Sequence, residues 1–390
     1  MPERIRQILR IARRECDIML RNPIYGFCMV VFPVVVIAFF TSLMSEGQPT
    51  GLPVGVVDLD NTSTTRKLIR TLDGFQTTKI VAHYSNLNDA RQAIQNNEIY
   101  AFLLLPKGTT EGLLASRQPD ISFYYSSTTL VAGSMLYRDL KTATTLAAAS
   151  VGSAKLSALG KRPAEIKAFL QPIAVDLHMV GNPWADYNVY LSTTMVPGVL
   201  MIFIFLLTAY AIGTELKFRR SHQWMEAAEG DIHVALIGKL LPQTIVFITL
   251  LLGFQLYIFG WLHFPHPGGI LPIVLNAVLA VLSAQCFGIF IFGLMPSLRM
   301  SMSICSLWAV LSFSACGATF PTTAMSPMIE AMAQLFPLRH YYMIYQSAIF
   351  NGFPLGYSWY HILAMIGFIL LPAFTVKNIR RAMLEYVYIP

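Results

Sequence analysis

Apolar residues gather in six long runs, at 24–44, 189–212, 234–259, 270–295, 300–318 and 359–376. Each is close to the ~20 residues that cross ~30 Å of hydrocarbon as a helix. Several contain proline (Pro33, Pro197, Pro242, Pro272), which membrane helices tolerate where neighbours re-satisfy the freed carbonyl. The segment 47–186 has a different rhythm. Short strand-like stretches at 54–58, 79–84, 100–105, 121–125 and 175–179 alternate with helical spacing at 63–72, 88–97, 109–116, 128–159 and 163–170. Asn88 is the expected cap of the second helix, and Asp60, Asn61 and Ser63 are the turn and cap residues before the first. Strands alternating with helices imply a small α/β domain with a mostly parallel sheet.

The expected fold is therefore a membrane α-helical bundle of six spans with an inserted extracytoplasmic α/β domain. Its parts are an amphipathic interfacial helix (1–23), a first transmembrane helix (24–44), the extracytoplasmic domain (45–186), spans two to six (187–376) and a cytoplasmic tail (377–390). Ile5, Ile8, Leu9, Ala12, Cys16 and Met19 form one face of the first helix, with arginines opposite, as in a helix lying on a membrane surface. A charged inner loop (214–233) follows span two. The stretch 320–354, with Pro321, Pro327, Pro337 and Pro354, is too broken for a straight span and reads as a re-entrant segment. Pro337, Arg339 and His340 are its candidate functional residues, because charge at membrane depth is costly.

Lysine and arginine placement sets the orientation. Arg4, Arg6, Arg10, Arg13, Arg14 and Arg21 precede span one; Lys217, Arg219 and Arg220 follow span two; Arg299 sits between spans four and five; Lys377, Arg380 and Arg381 follow span six. The loop 260–269 has neither residue type. With both termini cytoplasmic, every inner segment is basic, as the positive-inside rule requires. The composition agrees: 55% hydrophobic residues and only 13% charged. The net charge of +7 on its own would suit a nucleic-acid partner, but the basic residues cluster beside the apolar segments, a placement that fits topology better. The long charged start without a small-residue cleavage site reads as an anchor, not a removable leader. The five cysteines lie in or near apolar helices without metal spacing.

Enzymatic chemistry finds little support. Asp58-Leu59-Asp60-Asn61-Thr62 after an apolar strand looks like the start of a haloacid-dehalogenase-type phosphatase, but no second acidic pair for magnesium follows before Asp186. His263-Phe-Pro-His266 lacks a nearby acid or cysteine for a metal. Gly160-Lys161 and Gly238-Lys239 lack the upstream glycine and following hydroxyl of a phosphate loop. No catalytic residue, metal or cofactor is assigned to this chain.

Taken in order, several stretches resemble the ABC type-2 transport permeases, in particular the bacterial drug-efflux branch with a large periplasmic domain. They are the strand 54–60 with Asn61-Thr62-Ser63, the helix-strand unit 88–106 ending in Pro106, Gly238-Lys239-Leu240-Leu241-Pro242, and 314–321 followed by Phe336-Pro337-Leu338-Arg339-His340-Tyr341. One departure is Arg220-Ser221-His222-Gln223-Trp224-Met225, where the family has Gly-Thr and an acidic helix. The resemblance implies a permease subunit of an ATP-driven exporter in the bacterial inner membrane. It implies a separate ABC ATPase that carries ATP and magnesium, a second permease subunit, and a periplasmic adaptor as a further partner. Aromatic and methionine-rich spans suit an amphipathic small molecule or lipid as substrate, and ordinary span packing has the same composition. Glu215, Arg219, Arg220, Trp224, Met225 and Glu226 are the expected ATPase-docking residues, with Arg6, Arg10 and Arg13 secondary. The rival reading is a non-transporting scaffold or sensor whose outer domain binds a ligand.

Overall fold

The computed structural model describes residues 3–43, 45–115, 117–173, 175–176, 178, 181–182 and 185–386. The chain forms two compact units, Met1–Ser45 with Met179–Pro390, and Glu46–His178.

Among the described residues of the first unit, 6 helices are long and apolar enough to cross a membrane: Pro23–Leu43, Tyr187–Lys217, Ile232–Trp261, Ile270–Leu294, Leu298–Ala315 and Leu355–Glu385. Spans two and four are the most buried, with 67% and 72% of their apolar windows covered by protein, so they form the middle of the bundle. Their contact is close because Gly288 is small: a Cβ there would meet the Thr208 Cβ at 3.0 Å. Such close backbone approach holds membrane helices together where lipid removes the hydrophobic drive. Span one relaxes into a π-helical turn at Phe27–Val31, and span three does so at Tyr257–Trp261.

Two boundaries differ from expectation, and the stretch 320–354 is broken as expected. Span two continues as helix to Lys217, which places Glu215 in its last turn. Span six does not give way to a tail at 377. Its helix runs on to Glu385, because Val376, Ile379, Ala382 and Met383 continue a buried stripe at helical spacing. The stretch 320–354 breaks at its prolines into Pro327–Ala333, Pro337–Ile344 and a π-helical turn at Tyr345–Phe350.

The second unit holds a small mixed sheet of strands β1 (Leu52–Asp58), β2 (Thr78–His83), β3 (Ala101–Leu105) and β4 (Ser122–Tyr125), in the order β2-β1-β3-β4. β1 pairs in parallel with β2 and β3, and β4 runs antiparallel on β3. Alternation along β1 sends Val56 to one face with Leu68, Leu72 and Leu140, and Val57 to the other with Ala90 and Phe102. Both faces are thus covered by helices, which is why β3 is apolar throughout.

Thr62, not Ser63, caps helix Ser63–Asp73, through a reciprocal bond with Thr65. Asn86, not Asn88, caps Leu87–Gln95. The fifth expected strand, 175–179, falls partly outside the described residues; 175, 176 and 178 have no regular structure.

Candidate functional site

The N-terminal helix Glu3–Arg21 lies along span three. A glycine makes this possible: a Cβ on Gly238 would sit 2.8 Å from the Ile11 Cβ and 3.1 Å from the Ile8 carbonyl oxygen. The face so covered is Gln7, Ile11, Ala12 and Glu15. That is rotated from the apolar face expected from the sequence. Ile8, Ala12 and Met19 pack inward, while Ile5, Leu9 and Cys16 remain exposed. The protein took the stripe containing Glu15, because that carboxylate has a partner waiting on span three.

The partner is Lys239. Its Nζ donates to Glu15 Oε2 at 2.7 Å and to Glu215 Oε1 at 2.8 Å, with all three side chains 0–1% exposed. The other oxygen of Glu215 accepts from Arg14 Nη2 at 3.0 Å and lies 3.9 Å from Arg220 Nε. One lysine therefore ties together the N-terminal helix, the end of span two and the start of span three. Burial outweighs the Lys239 ammonium and holds the Glu15 carboxyl above the usual carboxylate range.

The inner loop is folded onto this ion cluster. Arg219 takes a left-handed conformation (φ 55°), which turns the chain sharply so that the Arg220 amide donates back to the Glu215 carbonyl at 2.8 Å. The short helix Ser221–Ala227 follows. Trp224 points inward: its indole Nε1 donates to the Ala235 carbonyl at 3.2 Å, and its ring lies 5.4 Å from the Lys239 ammonium.

The expected docking residues fall into two groups. Glu215, Trp224 and Met225 are buried against the chain's own helices. Arg219 and Glu226 are exposed, as are His222 and Gln223 beside them; Arg220 is half-buried. Arg6, Arg10 and Arg13 are exposed on the N-terminal helix. Sequence reasoning missed Lys239 and Glu15. Their signal was a lone lysine in the second turn of an apolar span and a lone glutamate among arginines.

The re-entrant candidates also turn inward. Pro337 begins its helix. Arg339 Nη1 donates to the Cys316 carbonyl at 3.3 Å. His340 bonds the Gln334 carbonyl through Nε2 at 2.9 Å and faces His361 Nδ1 at 3.0 Å through Nδ1. These contacts close the broken segment onto spans five and six.

The paired aspartates of the second unit are bonded within that unit, Asp58 in its own loop and Asp60 to the chain after β3. Asp58 Oδ1 accepts the Asp60 and Asn61 amides, and Oδ2 accepts the Thr65 hydroxyl. Asp60 accepts the Gly108 amide and both the amide and hydroxyl of Thr110. The Thr110 hydroxyl leads the bonds that hold the Asp60 carboxyl below the usual carboxylate range. Among the described residues, no group of three or more His, Cys, Asp or Glu side chains is arranged for a metal.

Six candidate spans, with a buried ion cluster that ties the N-terminal helix to spans two and three and a short loop helix seated on it, define a multi-pass membrane protein. The family model described as ABC-2 family transporter protein matches residues 24–375, and the chain belongs to that family. It is the membrane permease component of an ABC transporter, the transport part and not the catalytic one. The curated proteins contain no match to it.

Proposed function

We propose that this chain is the permease subunit of an ATP-driven exporter in the bacterial inner membrane, working with a separate ABC ATPase. The observation that carries the reading is the Lys239 cluster. Removing one partner from a buried ion pair costs about 3–5 kcal/mol. The N-terminal helix, the end of span two and the start of span three are therefore held as one body, and Trp224 fastens the loop helix Ser221–Ala227 to it through the Ala235 carbonyl. A push on the exposed side of the loop helix, at Arg219, His222, Gln223 and Glu226, reaches spans two and three without being lost in loop motion. Nucleotide binding on the partner biases a two-state rearrangement of the spans.

The rest of the assembly follows from exposed surface. Span five leaves Leu307, Val310 and Leu311 uncovered, a face suited to a second permease subunit. With both termini cytoplasmic, the unit Glu46–His178 lies in the periplasm, where an adaptor can meet it. Aromatic and methionine-rich spans suit an amphipathic or lipid-like substrate. The rival, a sensor whose outer unit binds a ligand, has in its favour an open cavity of ≈ 510 Å³ beside Asp58, lined by Arg66, Arg70 and His83.

Charge reversal separates the two readings. Arg219→Glu with Glu226→Lys is expected to abolish co-purification of the ATPase while the permease stays in the membrane at normal abundance. Undiminished co-purification, or transport unaffected by the double reversal, would refute the docking assignment.

A further inference from the structure

One cleft is left over once the ion cluster is explained. It has a volume of ≈ 510 Å³ and lies between the end of the N-terminal helix and the chain just after span two. Arg14, Arg21 and Arg220 line it, with Asp17 and Phe218. Span one begins at Pro23 and span two ends at Lys217, so the cleft is level with two membrane entry points. That is the depth of lipid headgroups.

Its charge is not balanced from within. Lys239, Arg14, Arg220 and Arg21 bring four positive charges, and Glu15, Glu215 and Asp17 bring three negative ones. Arg14 and Arg220 share a single oxygen of Glu215. Each keeps about a third of its side chain open, at 28% and 34%. Among the described residues, Arg14 Nη1 and Arg220 Nε make no hydrogen bond, although Arg220 Nε stays within 3.9 Å of Glu215 Oε2. Arg21 is exposed on the last turn of its helix. The site is rich in donors and short of one anion.

The surroundings say which anion. Phe218, in the cleft wall, is exposed, as are Leu20 (86% exposed), Ile24 and Phe27 at the end of the N-terminal helix and the start of span one. A free phosphate or an acidic side chain would leave that surface unused. A lipid phosphate brings acyl chains that cover it. Basic pockets at the ends of membrane helices hold phospholipid headgroups by this combination. We infer that this cleft binds the phosphate of an anionic phospholipid such as phosphatidylglycerol, held by Arg14, Arg21 and Arg220, with its acyl chains along span one. Because Arg14 and Arg220 also hold Glu215, the lipid braces the ion cluster from its open side. The inference requires only a membrane protein and stands whether or not an ATPase docks on the loop.

The test uses the purified full chain and native mass spectrometry, titrating phosphatidylglycerol, phosphatidylcholine and inorganic phosphate separately. Phosphatidylglycerol is expected to bind in preference to phosphatidylcholine, and inorganic phosphate to compete only weakly. Arg21→Gln leaves the buried cluster intact and is expected to weaken phosphatidylglycerol about fivefold, the worth of one arginine at a charged membrane surface. Asp17→Asn, which removes the opposing charge, is expected to tighten it. Equal binding of the two lipids, or identical binding by wild type and Arg21→Gln, would overturn the proposal. Inorganic phosphate competing as well as the lipid would overturn the lipid source. Loss of ATPase association in Arg21→Gln with lipid binding unchanged would overturn it in favour of an acidic protein partner.

Discussion

Replacing Lys239 with Met removes the cation bonded to Glu15 while keeping the length and bulk of the side chain. Glu215 suffers less, because Arg14 stays at 3.0 Å. Glu15 must then remain charged without a partner or take up a proton. A carboxyl of ordinary pKa near 4.3 pays about 3.7 kcal/mol to be protonated at pH 7, at 1.36 kcal/mol per unit. That sets a ceiling, and it agrees with the ~3–5 kcal/mol typical of a broken buried pair. At pH 5 the same ceiling falls to about 1 kcal/mol. The sign is consistent: a carboxyl whose folded pKa is raised favours the fold below its unfolded pKa, and that advantage is lost as pH rises through the folded value. Melting of purified Lys239→Met in nanodiscs should therefore fall below wild type by roughly 6–12 °C at pH 7, and by much less at pH 5. Adding Glu15→Leu should restore most of the loss at pH 7, since Glu215 keeps its arginine. A loss equal at both pH values, or no rescue by Glu15→Leu, would refute the assignment of the cost to a stranded Glu15.

Three further expectations test neighbouring parts. Gly238→Val should cost about 1–3 kcal/mol by overpacking against Ile11, read as faster tryptic cleavage within the arginine-rich helix Glu3–Arg21. Arg219→Gly should raise the melting temperature, because glycine removes about 1 kcal/mol of left-handed strain; if it weakens ATPase association at the same time, stability and docking are separated at one residue. In the second unit, Asp60→Ala should speed hydrogen exchange at the Gly108 and Thr110 amides at neutral pH. The Asp60 carboxyl is held low, so its contribution is present above the unfolded pKa and lost as pH falls through the folded one, and the gap from wild type should close in acid.

The spans and the four strands were legible in the sequence because their burial repeats at helical spacing or at every second residue. β3, Ala101–Leu105, is apolar throughout and ends at a proline, a pattern that belongs to a covered strand. The direction in which Trp224 points was not legible. A tryptophan on a short charged loop faces a partner or the interior according to whether its indole finds an acceptor, and that acceptor is the Ala235 carbonyl on the next span. The face of the first helix was misread for a related reason. Hydrophobic spacing favours Ile5, Leu9 and Cys16, whereas the buried stripe is set by a lysine far along the chain. Pairing between a glutamate and a distant lysine leaves no periodic trace, and only the cost of burying either one alone gives it away.

The Glu15–Lys239 bond spans 224 positions of sequence. At the ribosome's ~5–20 residues per second, about 10–45 s separate the appearance of the glutamate from that of its lysine. For that interval the opening helix has no clasp, and it rests on the bilayer or on a chaperone until the third span is threaded. The same bond that stiffens the finished protein is thus a late event in its biogenesis, and a truncated nascent chain released before residue 239 would carry an N-terminal helix with nowhere to lock.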